Sequence, residues 1–161
     1  IIFLIWFFTR KHAGTSFIWV TDRMALPFAL GGTFVRIGNF FNSEILGRET
    51  DVSWAVIFTS EDLIPRHPAM LYEAACYLAL FVLLVVVYKK YKNSPPDGAL
   101  TGLFMVGIFA ARFFIEYTKE RQPGFDETLT FLSMGQILSL PLIIFGLWML
   151  ISKVNWRIQN K

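Results

Sequence analysis

The distribution of apolar residues constrains this chain more than any other feature. They fall in blocks close to the length of about 20 residues, at about 1.5 Å rise each, that a helix needs to cross a bilayer. The blocks are Ile1–Phe8, ended by Arg10, Lys11 and His12; Phe17–Phe41, interrupted by Asp22, Arg23 and Arg36; Pro68–Tyr88; Gly98–Tyr117; and Met134–Ser152. Most other charges stand between the blocks. This pattern predicts an all-α fold, a polytopic membrane helix bundle with about five spanning segments. It forms a single transmembrane domain over residues 1–161, with outer loops at 42–67 and 118–133. The apolar fraction, 55%, exceeds the roughly 45–50% of soluble domains. The opening IIFLIWFF lacks the basic leader and small-residue cleavage site of a signal peptide. It reads as the cut end of a membrane helix, so the chain is expected to be the C-terminal part of a larger one.

Charge placement gives an orientation. Residues 10–16, 89–97 and 153–161 hold eight Lys or Arg, against four in the longer segments 42–67 and 118–133. By the positive-inside rule the first set is cytoplasmic, which also places the C-terminus there. The basic residues cluster at block ends and form no patch interleaved with exposed aromatics, so nucleic acid is not an expected partner. A single cysteine, Cys76, excludes a disulfide framework and a paired metal or redox motif. Inside its apolar block it is expected to be a small buried hydrophobe.

Ionisable groups within spanning segments are costly and persist when paired, interfacial or functional. With this topology Arg36 and Asn39 lie near the outer end of the second helix. Tyr72 and Glu73 lie near the outer end of the third, Arg112 and Glu116 in the outer third of the fourth, and Gln136 near the outer end of the fifth. Four helices thus bring polar groups to one depth below the outer headgroups. Asp22 and Arg23 lie toward the cytoplasm. Two arginines in that layer suit a phosphate anion. The alternative is structural glue, with Arg36 paired to Glu44 or Glu73 and Arg112 to Glu116. Gly31, Gly32 and Gly38 either admit a neighbouring helix or open the backbone to a ligand. A transporter would instead show inverted repeats and midplane polar groups.

Arg36-Ile37-Gly38-Asn39-Phe40-Phe41-Asn42-Ser43-Glu44-Ile45-Leu46-Gly47-Arg48 closely resembles the R-[IL]-G-N-F-x-N-x-E-x-x-G-R signature of prolipoprotein diacylglyceryl transferases. Pro65-Arg66-His67-Pro68 with Tyr72-Glu73, Arg112-Phe113-Phe114-Ile115-Glu116 and Met134-Gly135-Gln136-Ile137-Leu138-Ser139 resemble three further elements of that family, in order. The resemblance implies a seven-helix bacterial inner-membrane enzyme. It would transfer diacylglyceryl from phosphatidylglycerol to the lipobox cysteine of a preprolipoprotein, with no metal or organic cofactor. It places the phosphatidylglycerol-binding arginine on Arg36 and a second essential arginine on Arg112. Asn39, Glu44 and Gly47 fall on other required positions, and His67 on a histidine of lesser standing. Arg48, Tyr72, Glu73, Glu116 and Gln136 complete the expected substrate-binding set. Glu44 and His67 are this chain's candidates for accepting the thiol proton. The family's H-G-G segment, whose histidine is the stronger candidate base, lies before Ile1 or is missing. The family's tyrosine four residues before the second arginine is replaced here by Ile108. A non-catalytic lipid-binding scaffold is the rival class.

Overall fold

The structure is a computed structural model that describes residues 2–12, 15–92, 94–120, 132–152 and 154. The terminal Lys153, Arg157 and Lys161 and most of the outer loop at 118–133, Arg121 included, lie outside the described residues. Among the described residues five α-helices dominate: α1 (Ile2–Lys11), α2 (Phe17–Phe41), α3 (Ala69–Lys90), α4 (Ala99–Ile115), continued by a 3-10 turn over Glu116–Thr118, and α5 (Met134–Ser152). The spans Ala69–Lys90, Ala99–Thr118 and Met134–Ser152 are long and apolar enough to cross a membrane. At 25 residues α2 is also long enough, but its charges and Asn39 dilute its hydropathy. Arg10 and Lys11 extend α1 rather than end it. Both are good helix formers, and cations suit a helix C-terminus.

The outside of the bundle is apolar. Phe3, Phe34, Val35, Val82, Val86, Ile144 and Ile151 all face outward, as a lipid-facing surface requires, so apolarity does not predict burial here. Cys76 illustrates this and corrects the sequence expectation: it is exposed on the outer surface of α3. The interior is smaller and tighter. Ala25, Ala29, Leu80, Leu84 and Leu100 form its centre, where α2, α3 and α4 meet, with Ile108 packed against them. A β-carbon on Gly146 would lie 3.1 Å from the Gly102 carbonyl oxygen, so α4 and α5 touch through small residues, as membrane helices commonly do.

The two buried ends of the bundle are held differently. Ser16 caps α2 by accepting the Trp19 N–H at 3.0 Å. One turn on, the fully buried Asp22 reaches across to α4. Its carboxylate accepts the Gly98 N–H (2.7 Å), the Thr101 N–H (2.8 Å) and the Thr101 hydroxyl (2.6 Å). These bonds satisfy the free amides at the start of α4. Gly98 itself has φ +87°, a left-handed conformation that glycine adopts without strain. The charge that interrupted the second apolar block is therefore a helix cap supplied in trans.

At the other end, the segment between α2 and α3 folds into a small cap. Strands β1 (Val56–Ile57) and β2 (Pro65–Arg66) pair antiparallel, with Val56 opposite Arg66. Isolated bridges join Glu49 to Arg66 and Gly47 to Lys119. The cap is thereby clipped onto the end of α4, over the polar layer.

Candidate functional site

The C-terminal ends of α2 and α4 and the N-terminal ends of α3 and α5 meet beneath the cap. A chain of charges connects them. Arg36 Nε lies 3.0 Å from Glu73 Oε2, with the Arg36 side chain 14% and the Glu73 side chain 0% exposed. Lys119 Nζ lies 2.9 Å from Glu73 Oε1 and 3.2 Å from Glu116 Oε2. The Ser133 hydroxyl donates to Glu116 Oε1 at 3.2 Å. With its amide turned so that nitrogen faces Glu44, Asn39 donates to Glu44 Oε2 (3.1 Å) and accepts from Arg36 Nη1 (3.2 Å). Elements distant in sequence thus share one layer of ion pairs and hydrogen bonds, in which Glu73 Oε2 and Glu116 Oε2 make ion-pair contacts only.

Glu73, rather than Glu44, is the partner of Arg36, and Arg112 does not pair with Glu116. The i, i+4 spacing put those two on one helix face. The helix tightens to a 3-10 turn at Glu116, where residues three apart eclipse, and Lys119 takes the carboxylate instead. Arg112 is half-buried and, among the described residues, makes no ion pair or hydrogen bond. It acts electrostatically, as Arg36 does, on the buried Tyr77 of α3. Both guanidinium groups therefore lie within electrostatic range of one side chain. Three cations, Arg36, Arg112 and Lys119, stand against the carboxylates Glu73 and Glu116, with Glu44 exposed at the edge. Such an arrangement accepts an anion with planar, multidentate donors.

The remaining predicted residues build the cap and its seams. A β-carbon on Gly47 would overlap the His67 carbonyl oxygen, so only glycine fits there. Arg48 donates from Nε to the Lys119 carbonyl at 2.8 Å. The Tyr72 hydroxyl accepts from the Trp54 indole (2.8 Å) and meets His67 Nδ1 (3.2 Å). The indole N–H only donates, so the Tyr72 oxygen is its acceptor. Gln136 donates to the Phe113 carbonyl (3.2 Å) and accepts the Ser133 N–H (3.0 Å). It stitches the start of α5 to the end of α4. Gly135 stands beside it, and a β-carbon there would displace the Glu116 carboxylate.

Of the three glycines on α2, only Gly32 is packed, against the Tyr77 ring; Gly31 and Gly38 face open space. Ser43 and Ile45, flanking Glu44, have φ of 56° and 60°. For a β-branched residue this is a strained conformation, and strain of this kind collects at functional sites. Sequence reasoning counted Lys119 only as a loop charge and passed over Tyr77. The signal for Lys119 was its place three residues after Glu116. Arg66, which the sequence places in a family element without a role of its own, is buried in the cap and bonded to Asp62 at 2.6 Å, Glu120 at 3.0 Å and the Gly47 carbonyl at 3.2 Å. The Asp62 carboxyl is held below its ordinary value of 3.8, chiefly by the hydrogen bond from Arg66.

Fold and site together define an all-α integral membrane protein with a layer of paired cations and carboxylates at one end of its bundle. The chain belongs to the prolipoprotein diacylglyceryl transferase family, whose model matches residues 1–152. It is similar to the phosphatidylglycerol–prolipoprotein diacylglyceryl transferase of Tolumonas auensis, 48% identical over 147 residues that make up 91% of this chain and 56% of the relative. The enzymes of the same name from Chloroherpeton thalassium (42% identical; 96% of this chain, 58% of the relative) and Bacteroides fragilis (40%; 92% and 53%) are also similar. The chain spans a little over half the length of these curated relatives.

Proposed function

We propose that the full-length protein containing this chain moves the diacylglyceryl group of phosphatidylglycerol onto the lipobox cysteine thiol of a preprolipoprotein. The cysteine sulfur attacks C3 of the lipid glycerol. The C3–O bond to phosphate breaks, a thioether forms, and glycerol phosphate leaves with the bonding electron pair. Negative charge grows on the leaving phosphate, and a base takes the thiol proton, because the thiolate is the nucleophile. Arg36 and Arg112 stabilise the leaving group in a water-poor layer where such stabilisation is large. That Arg112 has no ion pair or hydrogen bond among the described residues is the observation that carries this reading: a half-buried cation at membrane depth calls for an anion. Of the two proton acceptors read from the sequence, His67 has its Nδ1 engaged by Tyr72. Glu44 is exposed and touched by Asn39, which leaves it the better placed of the two. Asn39 and Glu73 orient Arg36, Glu116 positions Lys119, and Gly47, Arg48 and Tyr72 shape the cap through which the acceptor peptide reaches the lipid.

The setting follows from the same reading. The site lies under the periplasmic leaflet of the bacterial inner membrane, with the basic ends of α1 and α3 on the cytoplasmic side; the bias of Lys and Arg supports that orientation. The test is transfer of labelled diacylglyceryl from phosphatidylglycerol to a lipobox peptide by the full-length protein, with phosphatidylethanolamine as control lipid. Arg36→Ala and Arg112→Ala each lower transfer by at least about 100-fold with the fold intact, the scale of losing one preorganised charge contact. Equal transfer from both lipids, or wild-type rates in either variant, overturns the assignment.

A further inference from the structure

Tyr77 lies on α3 one turn beyond Glu73, on the same helix face, and is only 5% exposed. Its ring packs on α2 where Gly32 leaves room; a β-carbon there would sit 3.2 Å from Tyr77 Cδ2 and 3.6 Å from Cε2. Arg36 follows Gly32 by one turn on the same face of α2, as Tyr77 follows Glu73 on α3, and Arg36, Arg112 and Glu73 all act electrostatically on the Tyr77 hydroxyl. A tyrosine buried at this depth would ordinarily find a carbonyl or carboxylate to receive its proton. Among the described residues the Tyr77 hydroxyl donates to none. The guanidinium has only donors to offer, so any bond with Arg36 uses the tyrosine oxygen and leaves the O–H free.

We propose that the Tyr77 hydroxyl is a further substrate-binding group of this site, donating a hydrogen bond to a phosphate oxygen of the phospholipid held between Arg36 and Arg112. It rests on the reading of the site given above and adds to it a neutral donor from a third helix. Three donors from α2, α3 and α4 surround the phosphate, and only the one from α3 carries no charge. The neutral donor supplies direction, since it has one proton at a fixed position, where the guanidinium groups supply most of the field. Gly32 is then a specificity device: its missing β-carbon sets how close the ring comes to Arg36.

The experiment uses the full-length protein in phosphatidylglycerol-containing micelles and measures kcat, KM for the lipid, and melting temperature. Tyr77→Phe removes the hydroxyl and keeps the ring. The expected result is a loss in kcat/KM of about 10- to 100-fold, the scale of one hydrogen bond to a charged group, with an unchanged melting temperature. Gly32→Ala, which presses on the ring and keeps the hydroxyl, lowers kcat/KM in the same direction. Should the phenylalanine variant melt early, 3-fluorotyrosine at position 77 keeps the shape while acidifying the hydroxyl, and kcat/KM then changes. Wild-type kcat/KM for a folded Tyr77→Phe, or no effect of the fluorinated side chain, overturns the proposal while wild-type transfer still supports the underlying function. Absence of phosphatidylglycerol-dependent transfer in the wild type overturns both.

Discussion

A β-carbon on Gly47 has nowhere to go, because the His67 carbonyl already occupies that space. Gly47→Ala is therefore expected to push the cap off the end of α4. It should cost about 1–3 kcal/mol of stability, as overpacking does, and lower transfer by more than tenfold although no functional group is removed. Limited proteolysis of the cap, read beside activity, checks this; intact protection with lost activity would point instead to a direct role. The arginines were legible in sequence because a permanent cation in an apolar block is conspicuous. Their partners were not. Helical spacing joined Arg112 to Glu116, whereas the 3-10 turn at Glu116 hands that carboxylate to Lys119. Tyr77 gave no signal at all, since a tyrosine in an apolar run is unremarkable until Gly32 and Arg36 are seen beside it.

Element boundaries follow apolar runs, and so α2 and α5 begin and end where the residue pattern places them. What links the elements depends on three-dimensional approach. Asp22 looked like an interruption of α2 and turns out to cap α4, across 76 residues of sequence. Asp22→Ala leaves the first amides of α4 without an acceptor and should destabilise the bundle by about 1–3 kcal/mol. Thermal unfolding of the full-length protein in detergent measures this, and Asp22→Asn, which keeps acceptor capacity, should recover part of the loss. The cap makes a separate prediction. Asp62 titrates below its ordinary 3.8 because Arg66 holds its charged form. A depressed folded-state value means that the contribution is complete above 3.8 and is lost as pH falls through the lower folded value. Trp54 fluorescence should therefore stay constant from neutral pH down to that range and change below it. Asp62→Asn should remove this acid-range change, and an identical profile in the variant would exclude Asp62 as its source.

For the whole molecule, the question is what keeps several helix ends in one layer when lipid offers them no hydrophobic reason to converge. Helices in a bilayer associate through packing and polar contacts rather than by burying apolar area from water. Glu73 answers that need. Its fully buried carboxylate receives Arg36 from α2 on one oxygen and Lys119 from beyond α4 on the other. Removing it leaves Arg36 without its carboxylate and Lys119 with Glu116 alone, and breaking a buried pair by deleting one partner costs about 3–5 kcal/mol. Glu73→Ala should thus be among the most destabilising single changes in the bundle. Lys119→Met alone is milder, because Glu73 keeps Arg36. The combined Glu73→Gln and Lys119→Met variant removes both members of one pair, so it should be more stable than the sum of the single effects, with a coupling of about 1–3 kcal/mol. Melting of the four proteins of this cycle in one detergent gives that coupling directly. Strict additivity would mean that the two residues do not share an interaction and that Glu73 ties α3 to α2 alone, through Arg36.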